Sequence, residues 1–453
     1  MLSKNDLIPL IISDITTEAS GVGRTEEGFA VFVPGTAVGD RLTVRIVKVL
    51  KSYAFGIIEE ILEPSPDRIP SDCPVSRGCG GCSLRHISYE AECRLKERWV
   101  TENFRRIGGI QAEVLPILPS PRRQGYRNKA QYPVRADADG KLVMGFFAKR
   151  SHRVVPCVSC RLQPDLFEEI LRFLEGFCRR HGVAPYDEAR RTGLLRHIYL
   201  RMGEATGQVM VCLVVNGGGL PCEEELAREL PARFPSVASL VLNCNRENTN
   251  VILGKDCRTL WGKGYIEDIL CGVRVRISPL SFYQVNREGA ENLYRTAAEF
   301  AELRGDETLL DLYCGAGTIG LSMASQVRRL IGVEAVAPAV ENARENAREN
   351  KIENARFLCG DAAEAAGTLL REGVSPDIVV MDPPRKGCDA SLLDTAASMA
   401  PQKIVMISCN SATAARDCAI LEQKGYRVKK LRAVDMFPRT AHVECVALLL
   451  REV

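Results

Sequence analysis

The sequence predicts an α/β protein in three parts: a small N-terminal β-barrel, a central mixed α+β region and a C-terminal open sheet with helices between its strands. Three observations carry this. Residues 1–62 form short β-runs of alternating Val, Ile and Phe, broken by Gly21, Gly23, Gly28 and Gly35, a pattern suited to a closed barrel. Beyond residue 273, strand-like runs (LLDLY, RLIGVE, ARFLCGD, DIVVMDPP, KIVMIS, ALLL) interleave with LYRTAAEFAEL, PAVENARENARENK and SATAARDCAILEQKG, which have helical spacing. Such interleaving predicts a parallel sheet. Finally, 453 residues exceed what one core holds, and the length suggests about two to four domains.

Between these parts, EPSPDRIPSDCP (residues 63–74) cannot continue a strand or helix and reads as a linker. YEAECRLKERWVTENFRRIGG is helical and stops at Gly108–Gly109. The expected division is 1–62; 63–92 plus 121–272; and 93–120 plus 273–453. No internal repeat is visible.

Composition is that of an ordinary globular chain, 46% hydrophobic and 26% charged. The net charge of +3 is too small to argue for nucleic acid, so any basic footprint must be local. The apolar run Leu7–Ile12 is broken by Pro9 and is too short for a signal peptide. No stretch approaches the roughly 18–20 apolar residues of a membrane span. A cytoplasmic location is expected. There, eighteen cysteines are buried packing residues, catalytic thiols or metal ligands rather than disulfides.

The strand TLLDLY runs into CGAGTIG, where Gly315, Gly317 and Gly320 make a G-x-G-x-x-G turn. That signal alone is weak. Asp311, just before the turn, would repel a pyrophosphate but suits the ammonium of a methionine moiety. Glu334 ends the next strand, where ribose hydroxyls are bound in nucleotide folds. Asp382 closes DIVVMD, and Pro383–Pro384 fixes the backbone beyond it, which suits a methyltransferase gripping a planar base.

The following strand ends at Ser408–Cys409–Asn410. Carbon 5 of uracil is a poor nucleophile. A thiolate added at C6 pushes electron density onto C5, and a base must later remove the C5 proton. Cys409 is the thiol candidate, with help expected from a helix N-terminus near Ser411. Glu444 is the base candidate, with His442 on the same face of an extended segment. Cys359, Cys388, Cys418 and Cys445 lack such placement and read as packing.

With these residues in place, the chain resembles the bacterial RNA (uracil-5-)-methyltransferase family, most of all its 23S rRNA branch. The matching runs are SFYQVN, LLDLYCGAGTIGL, MDPPRKG, ISCNSATAARD and FPRTAHVE. The resemblance implies a Rossmann-like methyltransferase domain in which Gln284, Tyr313, Glu334 and Asp382 bind S-adenosylmethionine, Asp382 also lying near the uracil. It implies Cys409 as nucleophile and Glu444 as proton acceptor. Phe282 would stack near the target base or belong to the core, and Asp361 of CGDA would lie near the adenine. Asp311, Gly315 and Gly317 complete the expected cofactor set. ASGVGRTEEGFAVFVPG resembles a TRAM domain, an OB-like RNA-binding module.

Residues 72–82, DCPVSRGCGGC, place Cys73, Cys79 and Cys82 in a C-x5-C-G-G-C pattern. A fourth ligand is needed, and Cys160 of VVPCVSCRLQP is the candidate, with Cys157 as the alternative. Four thiolates fit iron–sulfur or zinc equally by spacing. The resemblance implies a structural [4Fe–4S] cluster.

Residues 121–153 carry nine Lys/Arg against two Asp, with Tyr126, Tyr132, Phe146 and Phe147 among them. Basic groups hold phosphates and aromatics stack on unpaired bases. YRNK also matches the family, which marks Arg127 and Lys129. The resulting expectation is a monomer that methylates a uridine flipped out of a 23S rRNA loop. The tRNA branch of the same chemistry is the near alternative, expected to lack the barrel and the cysteine set. An amino-methyltransferase would have no use for Cys409 or Glu444. A non-catalytic scaffold would not need Gln284, Asp382, Cys409 and Glu444 together.

Overall fold

The computed structural model describes residues 2–452. The N-terminal strands β1 (Leu7–Ile15), β2 (Ser20–Arg24), β3 (Ala30–Pro34), β4 (Arg41–Val49) and β5 (Tyr53–Glu63) close into a barrel in the order β1-β2-β3-β5-β4. Its interior is Leu10, Ile12, Val31, Val33, Leu42, Val44, Ile46 and Ala54, the inward half of each alternating strand. Gly21 is required where β2 meets the loop after β3. A Cβ there would stand 1.9 Å from Thr36 Oγ1.

The segment expected to be a linker is anchored instead. Arg68 donates to both carboxylate oxygens of the buried Asp40, each at 2.7 Å, and bridges to Ile87. It leads to helix α1 (Tyr89–Arg106), whose cap Ser88 accepts from Ala91 N. Trp99 of α1 donates to Ile15 O at 2.8 Å, and Ala91, Leu95 and Trp99 pack against Ile15, Ala19 and Ala37. The barrel is thereby seated on α1.

Strand β6 (Glu113–Leu118) follows α1. Then come β7 (Lys129–Ala136), β8 (Leu142–Phe147), β9 (Val154–Pro156), helix α2 (Asp165–Arg180), β10 (Leu195–Met202), β11 (Val209–Val215), α3 (Glu223–Arg233), β12 (Val237–Cys244) and β13 (Asp256–Gly262). The seven strands after β6 form one sheet in the order β13-β12-β11-β10-β7-β8-β9, covered by α2 and α3. A hairpin of β14 (Ile266–Leu270) and β15 (Val273–Ile277) follows. The boundary expected at 272/273 passes through its turn, and both strands pack into the same core as α4 (Arg287–Ala301).

The C-terminal elements are β16 (Thr308–Leu312), α5 (Thr318–Met323), β17 (Arg329–Glu334), α6 (Ala337–Glu349), β18 (Ala355–Cys359), α7 (Ala362–Arg371), β19 (Ile378–Met381), α8 (Ala390–Ser398), β20 (Lys403–Ser408), α9 (Ser411–Glu422), β21 (Tyr426–Val434) and β22 (Glu444–Arg451). They form an eight-stranded sheet in the order β18-β17-β16-β19-β20-β22-β21-β6. The expectation of a wholly parallel sheet needs correction. The strand containing ALLL, β22, runs antiparallel to both β20 and β21. No helix separates β21 from β22, so the chain returns as a hairpin rather than a crossover. Helices cover both faces: α4, α5 and α6 on one, and α1, α7, α8 and α9 on the other.

The loop 435–443 between β21 and β22 is fixed by buried charge. Lys96 Nζ donates to Glu92 Oε1 at 2.7 Å, Asp435 Oδ1 at 2.8 Å and Phe437 O at 3.1 Å, with all three charged side chains fully buried. Tyr89 adds a hydroxyl bond to Asp435 Oδ2 at 2.8 Å. Burial opposes the Lys96 charge, but Asp435 and Glu92 together raise its pKa. Lys96→Ala leaves two carboxylates unneutralised in the core. It is expected to lower stability by about 3–5 kcal/mol, read by denaturant unfolding.

Candidate active site

The chain moves outward from β16 through β17 to β18, then returns to place β19 on the other side of β16. Where strand order reverses in this way, the carboxyl ends of the two central strands leave a crevice. Every residue expected at the cofactor or at the chemistry lies at or just beyond a strand end there, except Gln284 and Phe282.

Beyond β16 the backbone is left-handed at Tyr313 (φ 65°), Gly315 (φ 55°) and Gly317 (φ 80°), and α5 starts at Thr318. A Cβ on Gly315 would meet nothing within 4 Å, so this turn borders open space. Glu334 Oε2 accepts from Gly315 N at 3.0 Å and its Oε1 from Val336 N at 2.9 Å, joining the turn to the end of β17. Asp361, just past β18, caps α7 through Ala363 N and Glu364 N. Gln284 is tied in by its carbonyl, which accepts from Asn128 Nδ2 at 3.0 Å, and it lies near the buried Tyr294 of α4, whose hydroxyl bonds Thr318 Oγ1 at 3.0 Å. Phe282, two residues before Gln284, is 73% exposed, so it is no part of the core.

Asp311 is fully buried. Its Oδ2 accepts from Gly320 N at 2.9 Å, while Oδ1 has no partner among the described residues. Burial pushes its carboxyl up to about 7, with Asp382 and Glu334 adding repulsion and the Gly320 N–H opposing them. Burial raises the Asp382 carboxyl to about 7 as well.

Cys409 and Glu444 meet across the ladder. Ser408 of β20 pairs with Cys445 of β22, so the next residues outward, Cys409 and Glu444, stand opposite each other. Residues so opposed have Cα atoms about 4.5–5.5 Å apart. Glu444 is 6% exposed, and its carboxyl is pushed up to about 8 by burial and then by Asp382, against the pull of Arg385. Cys409 was expected to gain acidity from the helix that follows it. In the free site its thiol is raised instead: burial dominates, Glu444 and Asp382 repel the thiolate, and Arg385 opposes both. The cap of α9 is Asn410, whose side chain accepts from Ala412 N, so the thiol lies just outside the helix end.

Arg385 is the functional residue that the sequence reading passed over. It stood in MDPPRKG, directly after the two prolines. Its positive charge favours the Cys409 thiolate, and its side chain approaches His442 Nδ1 at 3.4 Å. Its carbonyl accepts from Asn410 Nδ2 at 3.0 Å, which fixes the Pro-Pro turn to the Cys409 loop. Burial, then Arg385, Lys96 and Arg127, lower the His442 pKa, so its imidazole is neutral at pH 7.

The cysteines gather elsewhere. Cys73, Cys79, Cys82, Cys157 and Cys160 line one cavity of about 240 Å³ with Arg85, Arg127 and Lys129. Burial and mutual repulsion raise Cys157 to about 12 and Cys160 to about 11. Among the described residues only His181, Cys222 and Glu225 bring three ligand atoms within 4.8 Å of one another. The five cysteines are therefore spread wider than the sulfurs of a single tetrahedral zinc, about 3.8 Å apart for Zn–S bonds of about 2.3 Å. A thiol-lined space of this kind fits a polynuclear centre.

Three of the nine cations in the basic run, Arg122, Arg123 and Arg135, are paired, while Lys141, Lys149, Arg150 and Arg153 are exposed. Arg122 pairs with Glu204 and Glu288, and Arg123 pairs with Glu90 while lying over the Tyr89 ring. Burial lowers Lys129 to about 8 beside Arg201 and Arg127. Tyr126 and Tyr132 are fully buried, and Phe146 packs against Tyr132 at 4.8 Å. These rings are core residues, not stacking platforms as expected.

Comparison with known proteins agrees with this geometry. A family model described as tRNA (Uracil-5-)-methyltransferase matches residues 271–452, and a TRAM domain model matches residues 5–58. An uncharacterized RNA methyltransferase of Halalkalibacterium halodurans is 42% identical over 449 residues, 99% of this chain and 98% of its own. One from Clostridium tetani is 41% identical over 448 residues, 99% of this chain and 97% of its own. The Pyrococcus abyssi tRNA (uracil-54, C5)-methyltransferase, solved with S-adenosyl-L-homocysteine, superposes with a TM-score of 0.78 at 30% identity, covering 98% of this chain and 100% of that one. The chain belongs to the RNA uracil-5-methyltransferase family.

Members of this family use S-adenosylmethionine, and the crevice fits it. The molecule carries a sulfonium and an ammonium, and the crevice offers Asp311 Oδ1 without a partner together with Asp382. At pH 6 both carboxyls are largely protonated, and at pH 8 largely ionised. A cation favours the ionised forms, so affinity should rise between pH 6 and 8, by up to about tenfold per pH unit for each proton released. Calorimetry in buffers of different ionisation enthalpy should show that proton release. Neutral S-adenosylhomocysteine should show less.

Proposed function

We propose that the protein methylates C5 of a uridine in 23S rRNA through a covalent adduct between Cys409 and C6. The observation that carries this is the pairing of Cys409 with Glu444 at the mouth of the crevice, beside Asp382. Arg385 stabilises the Cys409 thiolate, which adds to C6 of the flipped-out base and leaves an enolate with nucleophilic C5. S-adenosylmethionine supplies the electrophilic methyl group and leaves as S-adenosylhomocysteine. Glu444 then takes the C5 proton, the C5=C6 bond re-forms and the C6–S bond breaks, returning the thiolate. Gln284, Tyr313, Glu334, Asp361 and the Gly315–Gly317 turn would hold the cofactor, and Phe282, exposed beside Gln284, would stack on the target base.

Cys73, Cys79, Cys82 and Cys160 would bind a [4Fe–4S] cluster that ties two distant segments together. Methyl transfer needs no redox step, so its role is structural. Cys157 lines the same cavity and remains the alternative fourth ligand. The reading includes a cytoplasmic monomer. Among the described residues no helix is long and apolar enough to cross a membrane.

A second reading, tRNA as substrate, is favoured by one observation. The barrel and cysteine region were expected to separate this chain from tRNA enzymes, yet the Pyrococcus abyssi tRNA enzyme superposes over 98% of the chain. The cysteine pattern supports the rRNA reading. Transcripts of 23S rRNA and of tRNA carrying 5-fluorouridine decide between them. The preferred RNA should trap a covalent complex in the presence of S-adenosylmethionine. Cys409→Ala should abolish that complex, and its persistence there would overturn the mechanism.

Glu444 and Cys409 must both lose protons, so the rate should climb with pH through about 8, where Glu444 ionises, and continue upward as the raised Cys409 thiol ionises. Arg385 holds both groups down. Arg385→Ala should therefore move that limb of the profile to higher pH, by about one unit or more, as measured by initial methylation rates from pH 6 to 10.

A further inference from the structure

Arg439, in the run FPRTAHVE, is unused by the chemistry above, yet it bonds other segments through its carbonyl, its amide and its side chain. Its backbone lies at φ 71°, a left-handed conformation that side chains other than glycine's rarely adopt. Its carbonyl accepts from Ser83 N at 2.9 Å and Leu84 N at 3.0 Å. Its own N–H donates to Glu92 Oε1 at 2.7 Å, and its Nη1 donates to Ile87 O at 2.9 Å. All four partners lie in the stretch that directly follows Cys82.

The second cysteine arm arrives one residue earlier. The buried Tyr126 hydroxyl donates to Pro438 O at 3.0 Å. On either side of Tyr126, Gly125 N donates to Arg161 O at 3.0 Å and Arg127 N to Leu162 O at 2.8 Å. Those acceptors directly follow Cys160. Both halves of the cysteine set thus end on Pro438–Arg439, a few residues before Glu444. In between, Thr440 Oγ1 bonds Phe437 O and receives His442 N, which keeps the loop folded on itself.

We propose that Arg439 is a positioning residue for Glu444, through which the cysteine-bearing segments hold the carboxylate in place for removal of the C5 proton. This rests on the reading of Cys409 as nucleophile and Glu444 as base. The thiol does not depend on the loop. Cys409 is held by β20, the Asn410 cap and the Arg385 carbonyl. Glu444 does depend on it, since the loop's two ends are Val434 and Glu444, which pair with each other. Loosening Arg439 therefore leaves addition and methyl transfer intact and slows release, in which the C5 proton passes to Glu444 as the C6–S bond breaks.

The test uses full-length, iron-loaded protein, S-adenosylmethionine and RNA with ordinary uridine. Wild type should turn over with little adduct visible on a denaturing gel. Arg439→Ala should accumulate methylated adduct, with release slowed on the order of 10²-fold, while trapping of 5-fluorouridine RNA stays within about twofold. Arg439→Lys, which keeps the charge beside Glu92, should recover part of the release rate. Should Arg439→Ala fail to fold, Tyr126→Phe removes one hydroxyl from the same clamp and should shift the balance in the same direction. An equal loss of trapping and release, or no adduct in either folded variant, overturns the proposal. Absence of a fluorouridine adduct with wild type would instead sink the underlying mechanism.

Discussion

The site depends on β22 entering the sheet antiparallel between β20 and β21. In that register Ser408 lies opposite Cys445, and the residues that continue the pair beyond the ladder are a thiol and a carboxylate. A slip of one residue would turn Glu444 to the other face of the sheet. Register is fixed from within by burial of β22 on both faces, where Val446, Leu448, Cys445, Ala447 and Leu449 divide between two cores. It is fixed at the open end by the loop 435–443. That loop is anchored by buried Met436 and Val443 and by the Lys96–Glu92–Asp435 charges. Buried ion pairs seldom add stability over apolar substitutes. Here the charges specify a geometry, since three partners must converge on one ammonium.

The electrostatics of the crevice follow from its dryness. Asp311, Asp382, Glu444 and Cys409 all have raised pKa values in the free protein, because Asp311 and Glu444 are buried, Asp382 and Cys409 are half-buried, and most repel one another. A site of this sort waits for positive charge. Arg385 supplies one cation at the protein's own cost, and the cationic co-substrate supplies another. Positive charge placed there would favour the ionised forms of all four groups.

Much of the crevice was legible in the sequence because glycine turns and strand ends are local features. Gly315, Gly317, Asp311, Glu334 and Asp382 occupy strand ends that hydrophobic runs and turn residues mark directly. Cys409 and Glu444 were legible as candidates, but their contact was not, since it arises from β22 reversing direction. Local pattern is blind to strand orientation. Residues 93–120 were expected to belong with this domain, but the pairing of β6 with β21, some three hundred residues away, was not legible in local pattern. Tyr126 and Tyr132 misled because their polar surroundings in sequence hid a buried position in the fold. Arg385 and Arg439 stood in quoted runs without a role, and only the partners brought to them by distant segments set them apart.

Those partners also change the account of RNA affinity. A run of free arginines would bind phosphate strongly and with steep salt dependence. Arg122 and Arg123 are already committed to Glu204, Glu288 and Glu90, and Lys129 is drawn into the cysteine cavity. Exposed Lys141, Lys149, Arg150 and Arg153 remain as a local basic surface on a chain whose formal net charge is only +3. Exposed Phe282 at the crevice, and the barrel docked through Trp99, offer a different principle: shape and stacking on unpaired nucleotides. Such a surface suits unpaired nucleotides of a loop better than a continuous duplex.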